Sequence, residues 1–166
     1  NQKKQKLFAK LDSEKYGKYS ASITQIQDYA YFGFENVEDD ALEIDSLAQP
    51  FQAGKTLRTL KLKARKDFSV GRFSLANTIM YQNVSDGQDF YNVPEFVTRN
   101  SLYYEDYWFQ DALYLNTGLT LKYFSEFTAD AYDPVLGDFV VQNDVSVGNF
   151  YTLDFFFNAK VKQARI

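Results

Sequence analysis

The chain has 166 residues and a formal net charge of −4, from 18 basic and 22 acidic side chains. This length suits one domain, and an acidic balance gives no reason to expect a nucleic-acid partner, which usually binds a clearly basic domain. With no Cys and no His, disulfides and thiolate chemistry are excluded and the commonest general base and metal ligand are missing, so we expect no enzyme, cofactor or metal site.

Alternation of apolar and polar side chains predicts about eight strands, whereas no long window shows a helical period. The predicted strands cover approximately residues 5–13, 18–32, 53–68, 72–84, 97–109, 112–131, 138–147 and 152–166. Pro50, Pro94 and Pro134 are all placed between strands, as a sheet requires. Gly118 is the one glycine predicted in mid-strand, where it indicates a bend or a close approach.

The longest alternating segment covers residues 113–131 and is the strongest structural signal in the chain. Its apolar positions include Leu113, Leu115, Leu119 and Leu121, with polar residues at most positions between them. Strands of soluble proteins usually have about 5–6 residues, whereas a tilted strand needs about 9–11 to cross a bilayer. We therefore predict the wall of a transmembrane β-barrel, with one face against hydrocarbon and the other hydrated.

Short and long connections alternate along the chain. The short ones lie near residues 14–17, 69–71, 110–111 and 148–151, and the longer ones at 33–52, 85–96 and 133–137. Bacterial outer-membrane barrels have short periplasmic turns and longer external loops. We therefore predict an all-β, antiparallel, up-and-down barrel in which residues 152–166 run outward and at least one further strand follows.

A basic ladder on the third predicted strand consists of Lys61, Lys63 and Arg65. Alternation places these side chains on one face, which would line the lumen, since a cation facing lipid at the midplane costs about 2–4 kcal/mol. One hypothesis is that the ladder biases permeation toward anions. The alternative is a solvated polar face whose charges have partners on neighbouring strands.

An aromatic cluster precedes a predicted short turn. It consists of Tyr103, Tyr104, Tyr107, Trp108 and Phe109. We predict a periplasmic girdle of interfacial rings, to which Tyr151 contributes from a similar depth beside another predicted short turn. The alternatives are the core of a soluble sandwich and a platform that stacks on sugar rings.

The first long connection is acidic. Its carboxylates are Glu35, Glu38, Asp39, Asp40, Glu43 and Asp45. They could attract Ca²⁺ or Mg²⁺ through oxygen ligands, but their order matches no calcium-loop pattern, so we expect a plain acidic external loop. No phosphate loop or nucleophile elbow is present in the sequence.

Many segments together resemble the putative porin family of Bacteroidota. They are residues 29–33, Tyr81-Gln82 with Pro94, 101–104, 118–124, 131–134, 139–142, 148–151 and 154–159. The resemblance covers essentially the whole chain. It implies that residues 1–166 are the C-terminal segment of one larger outer-membrane barrel domain, whose N-terminal part and last strand are missing here. It also implies passive diffusion of small solutes, and it supplies no catalytic residues.

Three other functions remain open at this stage. The barrel could be an energised transporter closed by a plug domain, or a structural subunit of an envelope complex. A soluble β-sandwich or lipocalin-like binding module is the third. The expected partners are outer-membrane lipid and small solutes, together with a second copy of the chain or other envelope proteins.

Overall fold

The computed structural model describes residues 2–34, 48–161 and 164–165, the last two as backbone only. These residues form strands, turns and irregular segments, and none of them lies in a helix that could cross a membrane. The strands are β1 Lys3–Ser13, β2 Gly17–Gln27, β3 Ala30–Phe34, β4 Ala48–Gln52, β5 Leu57–Val70, β6 Phe73–Ser85, β7 Phe96–Trp108, β8 Leu113–Phe124, β9 Phe127–Thr128, β10 Ala131–Asp133, β11 Asp138–Val141, β12 Ser146–Val147, β13 Phe150–Val161 and β14 Ala164–Arg165.

Eight strands form one sheet, which we call the wall sheet. Their order is β1-β2-β5-β6-β7-β8-β13-β14, and all neighbours are antiparallel. The predicted all-β, antiparallel, up-and-down arrangement is therefore confirmed. Within the described ranges the sheet is open, with β1 and β14 at its two edges, so a closed barrel is not observed.

Short turns and long links alternate between consecutive strands of the wall sheet. Short turns at 14–16, 71–72 and 109–112 define its short-turn end. Links at 28–56, 86–95 and 125–149 define its long-link end. The predicted alternation thus holds, but with a different assignment in the last third of the chain.

The predicted strand at 138–147 is not part of the wall sheet. β13 pairs with β8 along its whole length and so occupies the place next to β8 in the sheet. The predicted strand is instead divided into β11 and β12 within the last long link. As a result β13 begins at the long-link end, so the prediction that residues 152–166 run outward is wrong for this strand. A local period of two identifies a strand without identifying its neighbour, which is why the sequence did not reveal this.

The described parts of the long links form a separate unit, which we call the cap. It contains a four-stranded sheet of order β10-β11-β3-β4 and the β12-β9 pair. Its buried core joins Ala53 and Phe90 of the links to Ile26, Leu57 and Val84 of the wall sheet. These three wall residues share one face in the strand register, so the cap folds over that face at the long-link end.

Two further strand boundaries and the position of one proline differ from the prediction in ways that the structure explains. Residues 18–32 are divided at Asp28, whose φ of 55° lies in the left-handed region that Asp tolerates better than most residues. Pro50 lies inside β4 rather than between strands, and β4 is an edge strand, where a missing N–H costs no ladder bond. The strand predicted at 112–131 ends at Phe124, where the cap begins.

Gly118 lies at a close approach between β7 and β8. A Cβ atom built on it would lie 2.3 Å from the Leu102 carbonyl oxygen and 2.7 Å from the Tyr103 Cα. Its partners in the register are Tyr103 and Phe156, which are both bulky. The position therefore has room for glycine alone, as one of the two sequence interpretations predicted.

Candidate functional site

One face of the wall sheet is apolar and exposed, and we call it the apolar face. Directly paired residues of neighbouring strands share a face, so the register assigns every side chain to one side. The exposed members on the central strands include Leu62, Leu75, Ile79, Leu102, Leu119, Leu121, Leu153, Phe155 and Phe157. Leu119 retains 44% and Phe155 69% of its accessible surface, although Leu115 on this face is buried. Adjacent exposed apolar side chains over several strands need a partner surface or lipid.

Aromatic residues border the apolar face at both ends. The long-link row contains Tyr81, Phe96, Tyr123 and Tyr151, and the short-turn row contains Phe73, Tyr104 and Trp108. On β7 the interval from Phe96 to Tyr104 is about 27 Å of extended strand. A tilt of about 40° reduces this to about 21 Å, comparable with the apolar band of about 25 Å in outer-membrane barrels.

The predicted girdle residues do not all lie together. Tyr104 and Trp108 belong to the short-turn row, whereas Tyr103 and Tyr107 point to the opposite face because alternate residues of a strand diverge. Phe109 lies in the turn with a φ of 57°. Tyr151 lies at the long-link end, so the prediction that it shares the depth of the other five is wrong.

Asp106 anchors the short-turn row. Its carboxylate accepts hydrogen bonds from the Tyr104 hydroxyl at 2.6 Å and from Trp108 Nε1 at 3.1 Å. Arg72 Nη1 lies 3.0 Å from the same carboxylate. The polar tips of both rings are thereby held at one carboxylate near the short-turn end, as expected for residues at a boundary between apolar and aqueous surroundings.

The opposite face, which we call the polar face, is concave and forms the floor of an open cavity of about 540 Å³. Four charged residues line it: Arg65, Arg99, Glu105 and Asp154. The hydroxyls of Thr78, Ser101 and Thr120 lie among them. Most of these groups belong to the central strands β6, β7 and β8, so the cavity lies against the middle of the sheet.

The basic ladder lies on the polar face, as alternation predicts. Lys61, Lys63 and Arg65 share the face of the cavity lining, but Arg65 alone among them lines the cavity. Arg65 Nη2 lies 3.1 Å from Asp67 of its own strand, whereas Lys61 and Lys63 form no ion pair with any described residue. Anion bias by this ladder stays a prediction.

Arg99 and Lys122 are polar-face cations that the sequence analysis missed. They are direct partners across β7 and β8, and Thr78 separates Arg99 from Arg65 in the same register row. No sequence pattern connects them, because Arg99 and Lys122 lie on different strands. Only the register brings them together.

The acidic connection falls within residues 35–47, outside the described residues. In the described ranges, no group of three or more acidic side chains is placed to hold a metal ion.

An antiparallel sheet with an exposed apolar face, two aromatic borders and a concave polar face defines a class of all-β proteins whose main sheet has two chemically opposed faces. One protein family, described as putative porin, matches residues 1–166. The chain therefore belongs to the putative porin family. No curated protein and no solved structure is detectably similar to it.

Proposed function

We propose that the chain forms part of the wall of an outer-membrane channel through which small solutes diffuse passively along the polar face. The observation that carries this proposal is the pair of opposite faces on one sheet. The apolar face with its two aromatic rows matches a lipid contact, and the concave polar face matches an aqueous lumen. This role needs no catalytic residue, cofactor or metal.

Closure of the wall is part of the same proposal. Lipid cannot hydrogen-bond the free backbone groups of a strand edge, so a sheet in a membrane must have both edges paired. We infer that β1 and β14 are joined through further strands or through a second copy of the chain. A soluble sandwich fits less well, because it would bury the face on which Leu119 and Phe155 are exposed.

The cap restricts the size of the solute. Its core rests on Ile26, Leu57 and Val84, which point to the polar side of the wall sheet at the long-link end. Polar contacts hold its segments together: Asn92 donates to Asp130 at 2.9 Å, and Gln82 donates to the Pro94 carbonyl at 2.7 Å. A lumen partly covered in this way favours small solutes.

The test is reconstitution of the complete protein into liposomes and planar bilayers. Passive diffusion predicts ohmic channels without any energy source, and liposome swelling with small sugars that falls as the sugar becomes larger. A folded, membrane-inserted protein that conducts nothing would refute the proposal. Uptake that depends on an energised partner would support a gated transporter instead.

A further inference from the structure

Like charges meet in one register row of the polar face. The row contains Lys18, Arg65, Thr78, Arg99 and Lys122 on five successive neighbours of the wall sheet, β2, β5, β6, β7 and β8. Arg99 and Lys122 lie directly opposite each other, an arrangement that destabilises a sheet when nothing neutralises it. Neighbouring strands are about 4.8 Å apart, so the backbone of Arg65, two strands away, lies about 10 Å from that of Arg99.

The carboxylates near this row neutralise its other cations but not Arg99. Lys122 Nζ lies 2.5 Å from Asp154, Arg65 binds Asp67, and Lys18 Nζ lies 3.4 Å from Asp12. Among the residues that the structure describes, Arg99 has no carboxylate partner. Of the two cations that line the cavity, Arg65 is paired and Arg99 is therefore the one that can bind an anion.

The remaining acidic group of the cavity is remote from Arg99. Glu105 is six residues further along β7, about 20 Å of extended strand. Its Oε1 already accepts hydrogen bonds from Tyr114 at 2.9 Å and from Asn116 at 2.5 Å. Since the Debye length is about 8 Å at physiological ionic strength, Glu105 opposes an anion at Arg99 only weakly.

Hydroxyl groups surround Arg99 on the floor of the cavity. Thr78 is its direct partner on β6, and Ser101 is the next residue of β7 on the same face. The Ser101 and Thr120 hydroxyls share one hydrogen bond of 2.9 Å, so one of them keeps a proton to donate elsewhere. A guanidinium fork beside neutral donors suits a planar or tetrahedral oxyanion.

We propose that the cavity contains a binding site for a small oxyanion, of the carboxylate or phosphate type, centred on the Arg99 guanidinium. The inference rests on the proposed channel function and deepens it by naming a class of solute. Thr78 and Ser101 complete the site, whereas Lys122 on the neighbouring strand is already paired with Asp154. A bound oxyanion gives Arg99 the anionic partner that Asp154 already gives Lys122.

The experiment measures chloride current through the complete protein in planar bilayers while inorganic phosphate or acetate is added. A site in the lumen makes each oxyanion reduce the chloride current in a saturable manner. In the Arg99→Gln variant the half-inhibitory concentration should rise about tenfold, as expected when a charge-assisted hydrogen bond is lost. Arg58→Gln, which removes the same charge outside the cavity, should leave it unchanged.

The outcomes separate the site from the channel. A folded protein without conductance refutes the channel and the site together. If the oxyanions inhibit the chloride current with the same half-inhibitory concentration in wild type and in Arg99→Gln, the site is overturned and the channel is not. An equal rise of the half-inhibitory concentration in Arg99→Gln and Arg58→Gln also overturns the site, because it would indicate a long-range electrostatic effect. Inhibition by one oxyanion alone, lost in Arg99→Gln, supports the site and identifies which type it selects.

Discussion

Tyr151 lies directly opposite Tyr123 on the apolar face, and their ring centroids are 4.8 Å apart. This pair places the beginning of β13 next to the end of β8, so the chain leaves and re-enters the wall sheet at the same end. The segment 125–149 is therefore a long link like the two before it and part of the cap. In the proposed membrane wall its tip should lie on the same side as the other two links.

Cysteine labelling tests this topology. Val135 retains 93% of its accessible surface in the long link, and Tyr16 retains 60% in the first short turn. We expect a membrane-impermeant maleimide to label Val135→Cys in intact cells and Tyr16→Cys only after the outer membrane is opened. The chain has no cysteine of its own to add background. Equal labelling of both positions in intact cells would contradict the topology.

A lipid contact on the apolar face predicts a strong effect of charge there. Phe155→Arg should lower the free energy of unfolding by about 2–4 kcal/mol, since the cation would face hydrocarbon. The side chain at position 158 of the same strand points to the polar face, so Asn158→Arg should change the free energy of unfolding little. Urea titration of the complete protein in lipid vesicles measures both. Similar losses in the two variants would argue against a lipid-facing side.

The basic ladder predicts a selectivity change. Reversal of its charges by Lys61→Glu, Lys63→Glu and Arg65→Glu together should lower the anion-to-cation permeability ratio, because charged side chains in a lumen attract counter-ions. Reversal potentials under a salt gradient give this ratio. Lys61→Glu alone and Lys55→Glu alone, the latter in the link before β5, compare one reversal inside the ladder with one outside it. An unchanged ratio in the triple variant would mean that the ladder is merely a solvated polar face.

The close approach at Gly118 predicts that even one methyl group is harmful. Gly118→Ala should destabilise the protein by about 1–3 kcal/mol, because β7 and β8 must separate to admit a Cβ atom. Gly54→Ala is the control, because a Cβ atom placed there would meet nothing within 4 Å beyond its chain neighbours. Unfolding curves of the two variants should differ clearly, and coincident curves would rule out the steric explanation.

Tyr29 in the cap predicts a response to alkali. Burial raises the pKa of its hydroxyl above 10.0, and nearby Tyr91, Asp130 and Asp138 add to the shift. Because the folded state favours the neutral phenol, this contribution to stability is complete below pH 10 and is lost as the pH rises through the folded pKa. The cap should loosen in that range.

Difference absorbance near the phenolate band, between wild type and Tyr29→Phe, isolates this titration. A step above pH 10 is expected for the folded protein, and it should move down to the ordinary value in urea. A step at the ordinary value in the folded protein would show that partial burial beside Phe90 does not shift the titration of Tyr29.

Much of the wall sheet could be predicted from the sequence. The strand containing Leu119 and Leu121, the common face of Lys61 and Lys63, and the alternation of short and long connections all follow from local periodicity and turn residues. The cap could not be predicted in this way. Its strands are short, and β11 pairs in parallel with β3, which lies far from it in the sequence.

The sequence by itself determined the two chemically opposed faces, because successive side chains of any extended strand point to opposite sides whatever its neighbours are. Tertiary structure decided which strands are neighbours, and hence that Arg99 meets Lys122 and that Tyr151 meets Tyr123. The physical reason is that register depends on hydrogen bonds and packing between segments distant in the chain, and many registers are compatible with the same alternating pattern.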